Sequence, residues 1–229
     1  MLLCELIKNI KPAYKSIKFN NIRFNSKDCK TNDIFFSIQG NKLKGNNYIK
    51  DAIKNGSKII ISNLNFEGFN KEKILFIKNK NPRKALAEAA SNFYKKKPKN
   101  IIALTGTNGK TSISIFFYQI LSLNKKKVAA IGTLGVLSKK IKLKTNNTTI
   151  DPIKMHQILQ KLKNSNIDNV IIEASSHGLK QHRLDGLNLK TAMFTNLSRD
   201  HLDYHKNIKN YISSKFRIQN FLYENSNLF

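Results

Sequence analysis

Apolar and polar positions alternate in blocks, most clearly in the second half of the chain. Residues 101–105, 128–131, 170–173 and 192–195 are short apolar runs of strand length. Residues 111–123, 152–163 (Asp151 as N-cap) and 208–222 carry the three-and-four spacing of amphipathic helices. Strand, helix, strand in repetition predicts a mostly parallel sheet covered by helices, with ligands gathering at the carboxyl ends of the strands. The first half has the same character on a smaller scale. Residues 33–38, 58–61 and 74–77 read as strands, 48–55 as a short helix ended by Gly56, and 40–45 as a polar loop. Asn81-Pro82 opens an alanine-rich helix that runs to about Tyr94. The stretch 95–100, charged and broken by Pro98, is the expected domain boundary. The fold class is therefore α/β: a small N-terminal α/β domain, 1–97, then a larger, mostly parallel α/β domain, 98–229.

A chain of 229 residues suits one large or two small domains. No apolar run approaches the ~18 residues of a membrane helix. Met1-Leu2-Leu3-Cys4-Glu5 lacks the basic region and apolar length of a secretion signal, so a cytoplasmic protein without a membrane partner is expected. Cys4 and Cys29 make neither a disulfide framework nor a metal-ligand spacing. The net charge of +27 raises the question of nucleic acid. Of 41 basic residues, however, only Arg23, Arg83, Arg183, Arg199 and Arg217 are arginine, and lysine is spread evenly among asparagines. That pattern reads as a solvated basic surface that attracts anions, not as a nucleic-acid interface, where arginine forks are favoured.

The chemistry begins at the end of the 101–105 run. Thr105-Gly106-Thr107-Asn108-Gly109-Lys110-Thr111-Ser112 is a glycine loop between a strand and a helix. Such a loop turns backbone N–H groups and a helix N-terminus toward phosphate. Lys110 would reach the outer phosphates and the Thr111 hydroxyl would sit on Mg²⁺. The loop is shorter than the common P-loop: Leu104 stands where that motif has its first glycine. A plain glycine turn is the alternative, but the strand before and the helix after argue for phosphate.

Three other stretches follow strands. Glu173 ends the 170–173 run, where an acid beside a P-loop helps to hold Mg²⁺. The run 174–178 and Gln181-His182-Arg183 come next. No Gly-x-Ser-x-Gly elbow supports a nucleophilic serine there, so hydroxyl, amide and guanidinium read as contacts to a polar anionic ligand, or as a polar loop. In 195–205, His201 and His205 lie four apart, but a third zinc ligand is missing and a Mg²⁺ or phosphate role fits better. Lys215 shares the inward helix face of Ile208, Tyr211 and Ile212, an odd place for a lysine.

Together, the 105–111 loop, Asn147-Thr148-Thr149, the run 173–183 and the run 195–205 resemble the Mur ligases, most closely the MurE type. The resemblance covers essentially the whole chain, more weakly before residue 100. It implies a UDP-binding domain at 1–97 and an incomplete central ATPase domain at 98–229, with the family's third, amino acid-binding domain missing. It implies ATP-dependent amide bond formation: ATP phosphorylates the D-glutamate carboxyl of a UDP-N-acetylmuramoyl-dipeptide, and a diamino acid attacks the acyl phosphate. The diamino acid is expected to be meso-diaminopimelate rather than L-lysine, and the protein a monomer. Carried across, Gly106 to Ser112 bind ATP, and Lys110, His201 and Lys215 are catalytic. Thr111, Glu173, His201 and Lys215, the last as a carbamate, serve Mg²⁺. Asn147, Thr148, Thr149, Ser175, Gln181 and Arg183 contact the muramyl peptide; Ser26 and Asn41-Lys42-Leu43 contact UDP. Asn25-Ser26-Lys27 departs from the family's usual Asp-Ser-Arg, so a lysine replaces a bidentate guanidinium. The competing readings are a folate-extending ligase that shares the loop, a non-catalytic UDP-sugar- and ATP-binding fragment, and a nucleic-acid motor.

Overall fold

The computed structural model describes residues 1–40 and 45–229. The chain divides into two compact units, Met1–Phe93 and Tyr94–Phe229. The first ends with its last helix, just before the lysine-rich stretch 95–100.

The first unit opens with helix α1 (Leu3–Leu6) and is built on five strands: β1 (Ile22–Arg23), β2 (Ile34–Phe36), β3 (Ile59–Ser62), β4 (Gly68–Phe69) and β5 (Leu75–Lys78). Their order is β1-β2-β3-β5-β4, parallel except for β4. The central strands read as continuous apolar runs because both faces are covered. On one side Phe35, Ile60 and Phe76 pack with Ile49 and Ala52 of α2 (Ile49–Lys54). Helix α3 (Pro82–Phe93) buries Leu86, Ala87, Ala89 and Ala90. Strands β1 and β4, two residues each, are too short to leave a periodic signal.

The second unit holds a seven-stranded sheet. Its strands are β6 (Asn100–Thr105), β7 (Val128–Gly132), β8 (Gly135–Ser138), β9 (Lys142–Leu143), β10 (Asn169–Glu173), β11 (Leu189–Phe194) and β12 (Leu222–Leu228). The order is β12-β11-β6-β10-β7-β8-β9. Strands β12 to β7 in that order run parallel; β8 and β9 add an antiparallel hairpin. One face packs on α5 (Pro152–Asn164) through Ile101, Ala103, Val170, Ile172, Met155 and Leu159. The Asp151 side chain caps that helix by accepting from the Lys154 N–H at 2.9 Å. The other face carries α4 (Lys110–Leu123), with Ile113, Phe117 and Tyr118 against Leu104, Ala130 and Ile171. Helices α6 (Ser176–Lys180), α7 (Leu202–His205) and α8 (Ile208–Phe216) complete the unit.

The expected helix 208–222 is the main correction. Helix α8 stops at Phe216, Arg217–Phe221 is a 3-10 turn, and Leu222 begins β12. The reason is tertiary. β11 would otherwise present an open edge. The chain end supplies the missing ladder, with Phe194 N–H donating to Phe229 O and Phe229 N–H to Ala192 O at 2.9 Å. The antiparallel strands β8 and β9 are the other unforeseen element, and the chain enters β8 from β7 through a tight turn that ends at Gly135. There φ is +90°, and a Cβ would stand 2.1 Å from Leu143 O.

Candidate functional site

The site forms where β6, β10, β7 and β11 end. After Thr105 the chain turns through Gly106, whose φ is +148° and whose Cβ, if present, would lie 1.9 Å from Thr195 Oγ1. Gly109, at φ +81°, caps α4. The loop is fixed from the neighbouring strand end. Asn196 accepts from the Thr107 N–H through its backbone oxygen at 3.0 Å and from the Asn108 N–H through Oδ1 at 2.9 Å. Thr195 Oγ1 donates to Asn108 O at 2.8 Å. Thr107 Oγ1 accepts from the Ser198 N–H at 3.0 Å and lies 2.9 Å from the Tyr211 hydroxyl. The loop geometry is thus held by tertiary contacts.

Glu173 lies beneath the loop, 1% exposed. Its carboxylate accepts from Thr111 Oγ1 at 2.9 Å, Thr133 Oγ1 at 3.0 Å, Ser114 Oγ at 3.2 Å and the Thr133 N–H at 3.2 Å. Four donors offset the cost of burying the charge. Gly132 makes room for it: a Cβ there would meet Glu173 Oε1 at 2.0 Å. Thr148 Oγ1 lies 3.0 Å from Thr133 Oγ1 and extends the chain of hydroxyls.

Two lysines converge on one carbonyl. Lys110 Nζ donates to Gly106 O and Thr107 O, both at 2.8 Å. Lys215 Nζ donates to the same Gly106 O at 2.5 Å, from a side chain 2% exposed. Burial first, and then the Lys110 charge, lower the Lys215 pKa to about 8, against the pull of Asp200. Burial also lowers Lys110, with Glu173 and Asp200 opposing. The buried face of α8 is Tyr211, Ser214 and Lys215, while Ile208 and Ile212 are half-buried. Lys215 therefore points into the site and does not snorkel out.

A cavity of about 300 Å³ gathers the loop residues Gly106 to Ser112 with Thr148, Ser175, His201 and Lys215. It adds Thr133, Ser176, Asp200 and Tyr211. His201 is exposed, at φ 51°, with its N–H on Asp200 Oδ1 at 2.8 Å and its ring 4.8 Å from that of His177. His205 goes elsewhere: buried, its Nε2 is 3.0 Å from Ser176 Oγ and its Nδ1 is 3.3 Å from Ser214 Oγ. The two histidines do not converge on one point. Thr111 and Asp200 bring oxygen atoms to the cavity and Glu173 lies under Thr111, but among the described residues no cluster of three histidine, cysteine or acidic side chains is gathered for a metal.

Ser175 also joins three further expected residues, Thr149, Gln181 and Arg183, in one network at the cavity's edge. Thr149 Oγ1 donates to Glu173 O at 2.9 Å and meets Ser175 Oγ at 3.0 Å. Arg183 donates to Thr149 O and, at 2.8 Å, to Gln181 Oε1. Gln181 Nε2 donates to the Tyr204 hydroxyl at 3.1 Å. Asn147 is placed apart. It lines a separate cavity of about 280 Å³ against α5, with Lys154 and Lys161, because the chain turns inward only at Thr148. Ser26 belongs to the first unit, where it is buried and lines a cavity of about 690 Å³ with Asn25, Lys27 and Tyr48. Asn41, Lys42 and Leu43 lie outside the described residues.

Sequence reasoning passed over Thr133, Ser114 and the fixing role of Asn196. Thr133 follows β7, so the strand-end rule could have found it. Ser114 is visible only as the residue one helical turn after Thr111.

Comparison with known proteins places both units in one family. The Mur ligase middle domain model matches residues 104–229, and the Mur ligase family, catalytic domain model matches 18–94. The UDP-N-acetylmuramoyl-L-alanyl-D-glutamate--2,6-diaminopimelate ligase of Bradyrhizobium diazoefficiens is 38% identical over 95% of this chain and 45% of its own. The protein of that name from Wigglesworthia glossinidia brevipalpis is 42% identical, over 88% of this chain and 42% of its own. A solved structure of a ligase of that name superposes with a TM-score of 0.82 at 28% identity, over 97% of this chain and 46% of that one. A MurF ligase from Thermotoga maritima in complex with ADP shares the fold, with a TM-score of 0.59 at 20% identity, over 91% of this chain and 44% of that one. The chain spans about half the length of the curated relatives it matches.

Proposed function

The chain belongs to the Mur ligase family, and from that premise we propose that it is the UDP- and ATP-binding part of a ligase that extends UDP-N-acetylmuramoyl-L-alanyl-D-glutamate with a diamino acid. Meso-diaminopimelate is the favoured amino acid, since the similar curated proteins are named for it. The observation that carries the reading is the convergence of Lys110, Thr111, Glu173 and Lys215 on one glycine loop.

In this reading Gly106 to Ser112 cradle ATP, and Lys110 leaves its loop carbonyls for the outer phosphates. Thr111, Glu173, His201 and a carbamylated Lys215 would hold Mg²⁺, which when bound neutralises phosphate charge. Thr148, Thr149, Ser175, Gln181 and Arg183 place the D-glutamate carboxylate for phosphorylation, and the diamino acid amine then displaces phosphate. Asn147 contacts the muramyl part from the next cavity. Residues 1–97 hold the UDP end through Ser26 and the 41–43 loop, and 98–229 form the ATP domain. We further infer a cytoplasmic monomer with no nucleic-acid partner. Among the described residues no helix is long and apolar enough to cross a membrane.

A folate-extending ligase is the second reading. The Thr149–Ser175–Gln181–Arg183 network favours the muramyl peptide, because it presents a guanidinium and hydroxyls for an anionic peptide. Equilibrium binding separates the two. UDP-muramyl-dipeptide is expected to bind, and Arg183→Ala to weaken it about tenfold or more, as expected when a charge-assisted contact is lost. Binding of dihydropteroate in preference to the muramyl peptide would reverse the assignment.

A further inference from the structure

Thr133 touches both ends of the site. It is the first residue after β7 and lines the cavity with Thr111 and Thr148. It grips the Glu173 carboxylate on both oxygens: its N–H donates to Oε1 at 3.2 Å and its hydroxyl to Oε2 at 3.0 Å. Thr111 Oγ1, from the glycine loop, donates to the same Oε2 at 2.9 Å. On its other side Thr133 Oγ1 lies 3.0 Å from Thr148 Oγ1. Thr148 is held in turn through its neighbour. Thr149 Oγ1 donates to Glu173 O at 2.9 Å and accepts from the Ser175 N–H at 2.9 Å.

The direction of donation along these hydroxyls is fixed. A hydroxyl has one proton to give, and an ionised carboxylate only accepts. Thr133 gives its proton to Glu173, so Thr148 must be the donor in the bond between the two threonines. Thr148 to Thr133 to Glu173 therefore runs one way, and hydrogen bonds in such a chain polarise one another. Thr111 and Thr133 both give their protons to Glu173, which leaves oxygen lone pairs for the cavity they line. One lone pair of Thr133 is taken up by Thr148. An anionic ligand that accepts from Thr148 withdraws that proton. Thr133 then keeps its bond to Glu173 and has its lone pairs free for a cation, and Mg²⁺ arriving with a nucleotide seeks oxygen.

We propose that Thr133 is the positioning residue that couples the two ends of the site, so that an anionic peptide ligand accepting from Thr148 tightens nucleotide binding at the glycine loop. The coupling rests on the reading that ATP occupies the loop and the muramyl peptide reaches Thr148. It adds a named residue and a sign: each ligand is held more tightly when the other is bound.

Calorimetric titration of the 229-residue chain measures the coupling. The nucleotide probe is β,γ-methylene-ATP with Mg²⁺, which cannot transfer its terminal phosphoryl group. It is titrated with and without saturating UDP-N-acetylmuramoyl-L-alanyl-D-glutamate. The wild type is expected to bind the nucleotide about fivefold more tightly when the peptide is present, and by reciprocity the peptide about fivefold more tightly when the nucleotide is present. Thr133→Val keeps the shape and the N–H but removes the hydroxyl, and should bring both ratios below about twofold. Thr133→Ser keeps the hydroxyl and should keep the wild-type ratios. Partial misfolding would lower the binding stoichiometry and leave the ratios alone. The proposal is overturned if Thr133→Val retains the wild-type ratios. It is overturned equally if the wild type binds both ligands with no coupling, a result that leaves the two site assignments standing. If the wild type fails to bind one ligand by itself, the assignment of that site falls, and the coupling falls with it.

Discussion

Lys215 shows how a single residue is tuned by its surroundings. Its amine is buried against the Tyr211 ring, 4.7 Å from the centroid, and faces the Lys110 charge. With its pKa at about 8, roughly one molecule in ten carries the neutral amine at pH 7, against about three in ten thousand for an ordinary lysine. Only the neutral amine adds CO₂, so the lowered pKa supports the proposed carbamate. Incubation with ¹³C-bicarbonate should give a carbamate carbon resonance that is absent from Lys215→Arg. A wild-type spectrum without that signal would make Lys215 an ordinary cation near the phosphates. Gly132 is a second residue with a sharp expectation. Gly132→Ala drives a methyl group into the Glu173 carboxylate. It should lower stability by about 1–3 kcal/mol, as overpacking does, and weaken Mg²⁺-dependent nucleotide binding. Unchanged urea midpoints would show that Glu173 has room to move.

Among the elements, the strands buried on both faces were legible, and those at the sheet edges were not. β6, β7, β10 and β11 announce themselves as apolar runs because helices cover both sides. β12 reads Leu-Tyr-Glu-Asn-Ser-Asn-Leu, with no strand pattern, and exists because β11 offers it a ladder. The glycine loop, Glu173 and Lys215 were readable from position and residue type. The contacts that fix them were not: Asn196 on Thr107 and Asn108, and Thr133 on Glu173, depend on which strands become neighbours.

Helices α5 and α6–α8 also carry a pH dependence. His156 of α5 is buried, and burial with the Lys97 charge holds its pKa at about 3. His205 sits between Ser176 and Ser214, and burial with the Lys180 charge holds it at about 4. Both pKa values are depressed relative to an unfolded value near 6.5, so the folded unit binds fewer protons. Stability should be full above about pH 6.5. It should then fall as pH drops toward 4, by up to about 1.4 kcal/mol per unit for each histidine. Urea unfolding at pH 7 and pH 5 checks this, and His156→Leu should flatten the slope. An equal slope in that variant would place the acid sensitivity elsewhere.

For the whole molecule, the two units divide the chemistry. The first carries a cavity of about 690 Å³ lined by Ser26 and Lys27; the second carries the glycine loop and its oxygen donors. The sequence-based boundary at residue 97 and the compact units that meet at 93 and 94 both fall beside the lysine-rich stretch, where apolar periodicity lapses. The high lysine content reads as a solvated surface at this scale too, since the basic groups that converge on the site are few: Lys110, Lys215 and Arg183.

Calorimetric titration of the chain with ATP and Mg²⁺ shows whether the 105–111 loop holds the nucleotide. Saturable binding is expected, weakened about tenfold or more in Lys110→Ala through loss of a charge-assisted phosphate contact, and weakened again when Mg²⁺ is removed. Equal affinity in wild type and Lys110→Ala, or no binding by the folded chain, would contradict it.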